Sequence, residues 1–203
     1  AGGGSRRFVC KLVIADRQGS IVRDLLEFSG QITFAVSRTS RLLAYSLRHS
    51  ASDSDTDHLW VVPLDDSTGL LSTVSLGGRI LVNADNSDVL AFFWSPNSRY
   101  ILWLTRSDST ANLLSPSQEW QWRVFDTATG HAQRYSPHQV SRVMLRNYIP
   151  FFDAYAHNST FWSPDSSAFC YTALPPGSPH AVVHIQLVTV STSPDAPAPP
   201  PVP

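Results

Sequence analysis

At 203 residues, 42% of them hydrophobic and 15% charged, the chain can hold one domain with a real core and is too apolar to be disordered throughout. Its formal charge of -1 offers no electrostatic footprint for nucleic acid or an acidic membrane surface. No apolar run approaches the roughly 20 residues that a membrane-spanning helix needs.

A glycine-rich lead, 1–7, precedes Phe8 to Ala15, which reads as a strand. Asp16-Arg17-Gln18-Gly19 closes it as a turn, and Ser20 to Leu26 is its antiparallel partner. Ile32 to Val36 and Leu42 to Leu47 form a hairpin, and Ser50 to Asp57 a polar loop. Leu59 to Leu64 is a third strand ending in Asp65-Asp66-Ser67-Thr68-Gly69, and Leu71 to Leu76 a fourth. The order then repeats. Val89 to Trp94 and Tyr100 to Thr105 make the hairpin, Ser107 to Gln118 the loop, and Trp120 to Phe125 the third strand. Asp126-Thr127-Ala128-Thr129-Gly130 is its turn, and Ala132 to Tyr135 an edge-like fourth strand.

A third unit gives Thr160 to Trp162, Ala168 to Thr172, a Pro/Gly loop at Leu174 to Pro179, and Ala181 to Val190. The Pro-rich stretch 193–203 cannot pair in a sheet and reads as a linker or tail. Between the second and third units lies an insertion, 136–158. Its Val140, Val143, Met144, Tyr148, Phe151, Phe152 and Tyr155 fall mostly at three- and four-residue steps, which predicts a helix that Pro150 kinks or splits. The expectation over 8–192 is an all-β fold of four-stranded antiparallel units, two complete and two partial, with this one helical insertion. The chain opens Ala-Gly-Gly-Gly, with no Met and no signal-peptide core, and reads as starting at a truncated or processed end.

The units share one hairpin written three times: Ala35-Val36-Ser37-Arg38-Thr39-Ser40-Arg41-Leu42, Phe93-Trp94-Ser95-Pro96-Asn97-Ser98-Arg99-Tyr100 and Phe161-Trp162-Ser163-Pro164-Asp165-Ser166-Ser167-Ala168. Ser37, Ser95 and Ser163 recur after 58 and then 68 residues, the spacing of a stacked or radial repeat. Pro96 and Pro164 preset φ, and Asn97 and Asp165 can bond the turn with their side chains. Trp94 and Trp162 are expected at equivalent buried positions. The first copy departs from the pattern, with Arg38 and Thr39 in place of Pro and Asn/Asp.

This hairpin, followed by a strand ending in Asp-x-x-x-Gly, resembles the blade repeat of TolB-like β-propellers, a WD40-like architecture. The same repeat builds the propellers of prolyl-oligopeptidase-family serine peptidases. The resemblance implies a partial β-propeller of four-stranded antiparallel blades, since closure takes about 4 to 8 blades. It implies a non-catalytic module serving as a protein-interaction scaffold. The alternative is the accessory propeller of a serine peptidase whose hydrolase domain is absent from this chain.

Residue chemistry adds no enzyme and no cofactor to that reading. No Gly-x-Ser-x-Gly elbow occurs, and Ser95 and Ser163 recur with the fold as turn residues. Asp53, Asp55 and Asp57 alternate as a calcium loop begins, but without its Gly and distal Glu they read as a solvated loop. His180 and His184 stand four apart on a strand, about 13 Å, too far for one metal. His49, His58, His131, His138 and His157 are scattered, so no metal site is expected. Asn158-Ser159-Thr160 is a glycosylation sequon with meaning only in a secreted protein. Cys10 and Cys170 sit in apolar stretches and read as buried thiols, with a disulfide between distant units as the sharper alternative. A protein partner is expected, and neither nucleic acid nor a membrane span. The apolar side of the insertion either covers the adjacent unit or docks a partner; the candidate partner-binding residues are Met144, Tyr148, Phe151, Phe152 and Tyr155, with Phe151 and Phe152 expected to anchor the insertion to the rim.

Overall fold

The computed structural model describes residues 9–48, 58–64, 79–85, 87–106, 118–152, 161–174 and 184–190. Within them the chain is mostly antiparallel strand, arranged as four separate sheets. Strands β1 (Cys10–Ala15) and β2 (Ile21–Phe28) pair as a hairpin. Its turn is held by the Asp16 carboxylate, which accepts from the Gln18 and Ser20 amides, and by Gly19 at φ +85°.

The first four-stranded sheet takes β3 (Gln31–Val36), β4 (Leu42–Arg48), β5 (His58–Pro63) and β6 (Ile80–Leu81) in sequence order. The fourth strand is thus Ile80–Leu81, paired with Val61 and Trp60. Leu71–Leu76, expected in that place, lies outside the described residues, as does the expected turn Asp65–Gly69. The second sheet repeats the order with β7 (Ala91–Trp94), β8 (Tyr100–Arg106), β9 (Trp120–Asp126) and β10 (His131–Arg134). Here the Asp-x-x-x-Gly turn forms as expected. The Gly130 amide donates to the Asp126 carbonyl at 2.8 Å with φ +73°, and Arg99 grips the Asp126 carboxylate with two nitrogens. The third sheet is β11 (Ala168–Ala173) with β12 (His184–Thr189), extended by a single bridge from Trp162 to Phe169.

The turns explain how one sheet finds the next. In the second and third hairpins the Ser95 and Ser163 hydroxyls accept from the Tyr100 and Ala168 amides and donate to Asn97 and Asp165. That geometry forces Ser98 and Ser166 into the left-handed region, at φ 60° and 63°. Their buried hydroxyls then serve the preceding sheet: the Thr39 amide donates to Ser98 Oγ at 3.0 Å, and the Asn97 amide to Ser166 Oγ at 3.0 Å. A second rung runs the other way. Trp94 Nε1 donates to the Ala35 carbonyl at 3.0 Å, and Trp162 Nε1 to the Phe93 carbonyl at a longer 3.5 Å. In the first hairpin Thr39 cannot span its own turn as Asn97 does, and the left-handed residue moves on to Arg41.

One core runs from the first sheet through the third and holds Phe92, Phe93, Trp103, Trp122, Phe169 and Tyr171. A smaller one lies between the β1–β2 hairpin and the first sheet, around Leu12, Leu43 and Tyr45. Trp162 is buried and stacks on Tyr100 at 5.8 Å. Its counterpart Trp94 is only half-buried, a correction to the expected equivalence. The first sheet carries Leu42 where the second carries Tyr100, so it offers no ring at the place where Trp162 finds one.

Candidate interaction surface

The insertion after β10 begins as extended chain. His138 and Trp120 exchange backbone hydrogen bonds at 2.8 Å, and the Leu174 amide donates to the Gln139 carbonyl at 2.9 Å. Residues 136–141 therefore stitch the second sheet to the third, and the helix expected over 136–158 is confined, within the described residues, to 142–152. Unpaired backbone groups on two neighbouring strands outweigh the helical spacing of the side chains there.

Ser141 starts the helical turns, its hydroxyl accepting from the Met144 amide at 3.2 Å. A π-helical turn, Met144–Tyr148, runs into a 3-10 turn, Ile149–Phe151. The break at Tyr148, φ -115°, is where Pro150 was expected to split the helix, because proline brings no N–H to continue the ladder.

Side chains divide sharply between the two sides of this segment. Val140, Ile149 and Phe152 are buried, and Met144, Leu145 and Tyr148 are half-buried against the main core. Phe152 sets its edge on Phe92 and Phe93, with centroids 5.2 and 5.9 Å away, and Tyr148 meets Phe161 at 5.9 Å. The outer side holds Arg142, Val143, Arg146, Asn147 and Phe151 in solvent, with Val143 68% and Phe151 56% exposed.

Of the four candidate partner-binding residues that are described, then, Phe151 alone is freely accessible. It is not the anchor it was expected to be; of the expected pair only Phe152 is buried, together with Ile149. Met144 and Tyr148 mostly support the core, and Tyr155 lies outside the described residues. Val143 and the two arginines, absent from the candidate set, share the open side with Phe151. Only the i, i+3, i+4 offsets from the buried Phe152 and Ile149 could have sorted them beforehand.

Several other polar groups are held within the fold. The Ser95 and Ser163 hydroxyls are engaged in their turns as described. Asp165, fully exposed, is held down to about pKa 2 by hydrogen bonds from Ser163 and Ser167. Partial burial pushes the Asp85 carboxyl up, but hydrogen bonds from Arg123 and Ser87 outweigh it and the net shift is down. Arg123 and Arg134 both pair with Asp85, and Arg106 with Asp88, tying the β6–β7 connection across the second sheet. His138 keeps part of its surface in solvent, but both ring nitrogens are covered and its ring lies 4.4 Å from that of Tyr171. Burial, partly offset by the Ser136 backbone, pushes its imidazole down to about 4.

Among the described residues no three of His, Cys, Asp and Glu converge as a metal site, and no helix is long and apolar enough to cross a membrane. Asp53, Asp55, Asp57, His180 and the 158–160 sequon lie outside the described residues. Cys10 and Cys170 are free thiols, half-buried and exposed respectively, so neither is the buried thiol that was expected. Cys170 sits on an exposed face of the third sheet, which no other sheet among the described residues covers.

No family model and no curated protein matches the sequence. Among solved structures, the chain is similar to the acylaminoacyl peptidase of Pyrococcus horikoshii, with a TM-score of 0.51 and 13% identity over 87% of this chain and 26% of the peptidase. TolB from Acinetobacter baumannii gives a TM-score of 0.46 and 17% identity over 90% of this chain and 35% of TolB. The chain thus spans about a third or less of the length of these proteins. At such identities the likeness concerns the fold alone, and of these two it is carried by the Pyrococcus horikoshii peptidase.

Proposed function

We propose that the four sheets are successive blades of a partial TolB-like β-propeller, and that the chain is a non-catalytic module serving as a protein-interaction scaffold. The observation that carries this is the two-sided segment 142–152. Phe152 and Ile149 fix it to the core, while Val143 and Phe151 stand in solvent on the same segment as the exposed Arg142 and Arg146. A connection between two sheets requires the buried residues; it does not require the exposed apolar pair. Rigidly mounted apolar side chains with arginines beside them form the kind of patch on which protein partners anchor.

A photo-reactive benzoylphenylalanine at Phe151 should cross-link one defined protein in the source cells, and Val143→Glu should abolish the cross-link while the chain stays folded. A cross-link pattern indifferent to Val143→Glu would reject this surface. Specific labelling by a fluorophosphonate probe, lost on changing a single serine, would reject the non-catalytic reading. The accessory-propeller reading is separated by the natural open reading frame, through the presence of a Ser nucleophile elbow.

A further inference from the structure

On the segment 142–152 the exposed residues fall into two rows at four-residue steps, Val143, Asn147 and Phe151 in one and Arg142, Arg146 and Pro150 in the other. Residues four apart are neighbours on a helical surface, with Cβ atoms about 5–6 Å apart, so the two arginines start side by side and repel. No neighbour among the described residues relieves that repulsion. Arg99 pairs with Asp126, Arg106 with Asp88, and Arg123 and Arg134 with Asp85. Arg142 and Arg146, by contrast, make no ion pair and no hydrogen bond among the described residues. The sequence between Asp126 and Asp153 holds no acidic residue, in a chain that has 16 of them against 15 lysines and arginines. The segment is therefore locally positive on a molecule whose formal charge is -1.

We propose that this surface takes an acidic, partly apolar peptide segment of a protein partner: two carboxylates that meet Arg142 and Arg146, beside one apolar side chain that lies on Val143 and Phe151. This rests on the reading of 142–152 as an interaction surface and adds the chemistry of the partner. The spacing of the arginines sets the spacing of the carboxylates. On a helical partner Asp or Glu four residues apart matches it, and on an extended one Asp or Glu two residues apart, about 6.5 Å. An anionic membrane fits less well, because a helix lying in a bilayer surface lays a long apolar face into lipid. Here Ile149 and Phe152 are buried in the protein core, which leaves Val143 and Phe151 as the large apolar side chains of this segment in solvent.

Selection from a displayed library of random linear peptides against the 203-residue chain tests it. The selected peptides should carry acidic pairs at these spacings next to Leu, Phe, Trp or Tyr. Their binding should fall steeply toward about 1 M salt, where the Debye length is about 3 Å. Arg142→Glu with Arg146→Glu should weaken a selected peptide at least about tenfold and leave the melting temperature of the chain unchanged, both positions being exposed. The same peptide with Lys in place of its acids should regain binding to that variant, and Phe151→Ala should weaken both pairings. Selected peptides without acidic enrichment, still weakened by Phe151→Ala, overturn the acidic partner and leave the interaction surface standing. Peptides indifferent to both changes, or no selected peptide at all, overturn the surface as well. Binding to phosphatidylserine vesicles that the charge reversal abolishes, with no acidic peptide selected, overturns the proposal in favour of a membrane.

Discussion

Trp162 is buried and stacked on Tyr100, whereas Trp94 is only half-buried and has Leu42 at the place of that ring. Equivalent positions in a repeat are therefore unequal in energy. Trp162→Ala should cost about 3–5 kcal/mol in urea unfolding, and Trp94→Ala roughly 2 kcal/mol, since less ring leaves water at the second site. Replacing Trp94 by Phe keeps most of the ring and removes the bond to Ala35, at about 1 kcal/mol. His138 gives a pH signature. Its pKa is depressed in the folded chain, to about 4, so the unfolded chain binds the extra proton first as pH falls. Stability should decline between about pH 6.5 and 4 by on the order of 3 kcal/mol at most and level off below, because one pK unit is worth about 1.36 kcal/mol. His138→Phe, which keeps the ring contact with Tyr171, should flatten that part of a stability–pH profile.

At the scale of elements, the insertion shows where residue pattern is enough and where it is not. The apolar spacing around Tyr148 announces a helix, and Pro150 announces its break, because both are local properties of the chain. The extended start at His138 and Gln139 is not local. It exists because Trp120 and Leu174, remote in sequence, offer unpaired backbone groups. Strand β6 is illegible because Ile80-Leu81-Val82 is too short an apolar run to stand out as a strand, and pairing with Val61 and Trp60 is what makes it one. The sidedness of the insertion yields a paired test. Phe152→Ala should destabilise by about 3–5 kcal/mol. Phe151→Ala should stay within about 0.5 kcal/mol while weakening partner binding, as expected of an exposed position. Equal melting temperatures for the two variants would show the assignment of inside and outside to be wrong.

For the whole molecule, the repeated hairpin carried most of what could be read beforehand: two four-stranded sheets, two smaller ones and their order along the chain. Turn chemistry is strict, with Ser, Pro and Asn or Asp each doing a job that few other residues can do, so it survives as text. The open face of the third sheet was hidden because Cys170, Thr172, Ile185 and Leu187 look as apolar as their buried counterparts. Composition cannot say whether a face has a neighbour. Far-ultraviolet circular dichroism should show dominant β signal with helix well below about a third of residues, the level of an average globular protein.

Ser98 and Ser166 hold a conformation that glycine adopts without cost, and they hold it at a junction between sheets. A glycine there would relieve about 1 kcal/mol of left-handed strain and forfeit hydrogen bonds of similar worth, leaving global stability nearly level. What it would change is cooperativity. Each hydroxyl reports the fold of one sheet to the turn of its neighbour, so removing it lets the sheets open one at a time. In native-state hydrogen exchange, the Ser98→Gly chain should release the amides of the first sheet at a lower opening free energy than those of the second, where the parent releases both together.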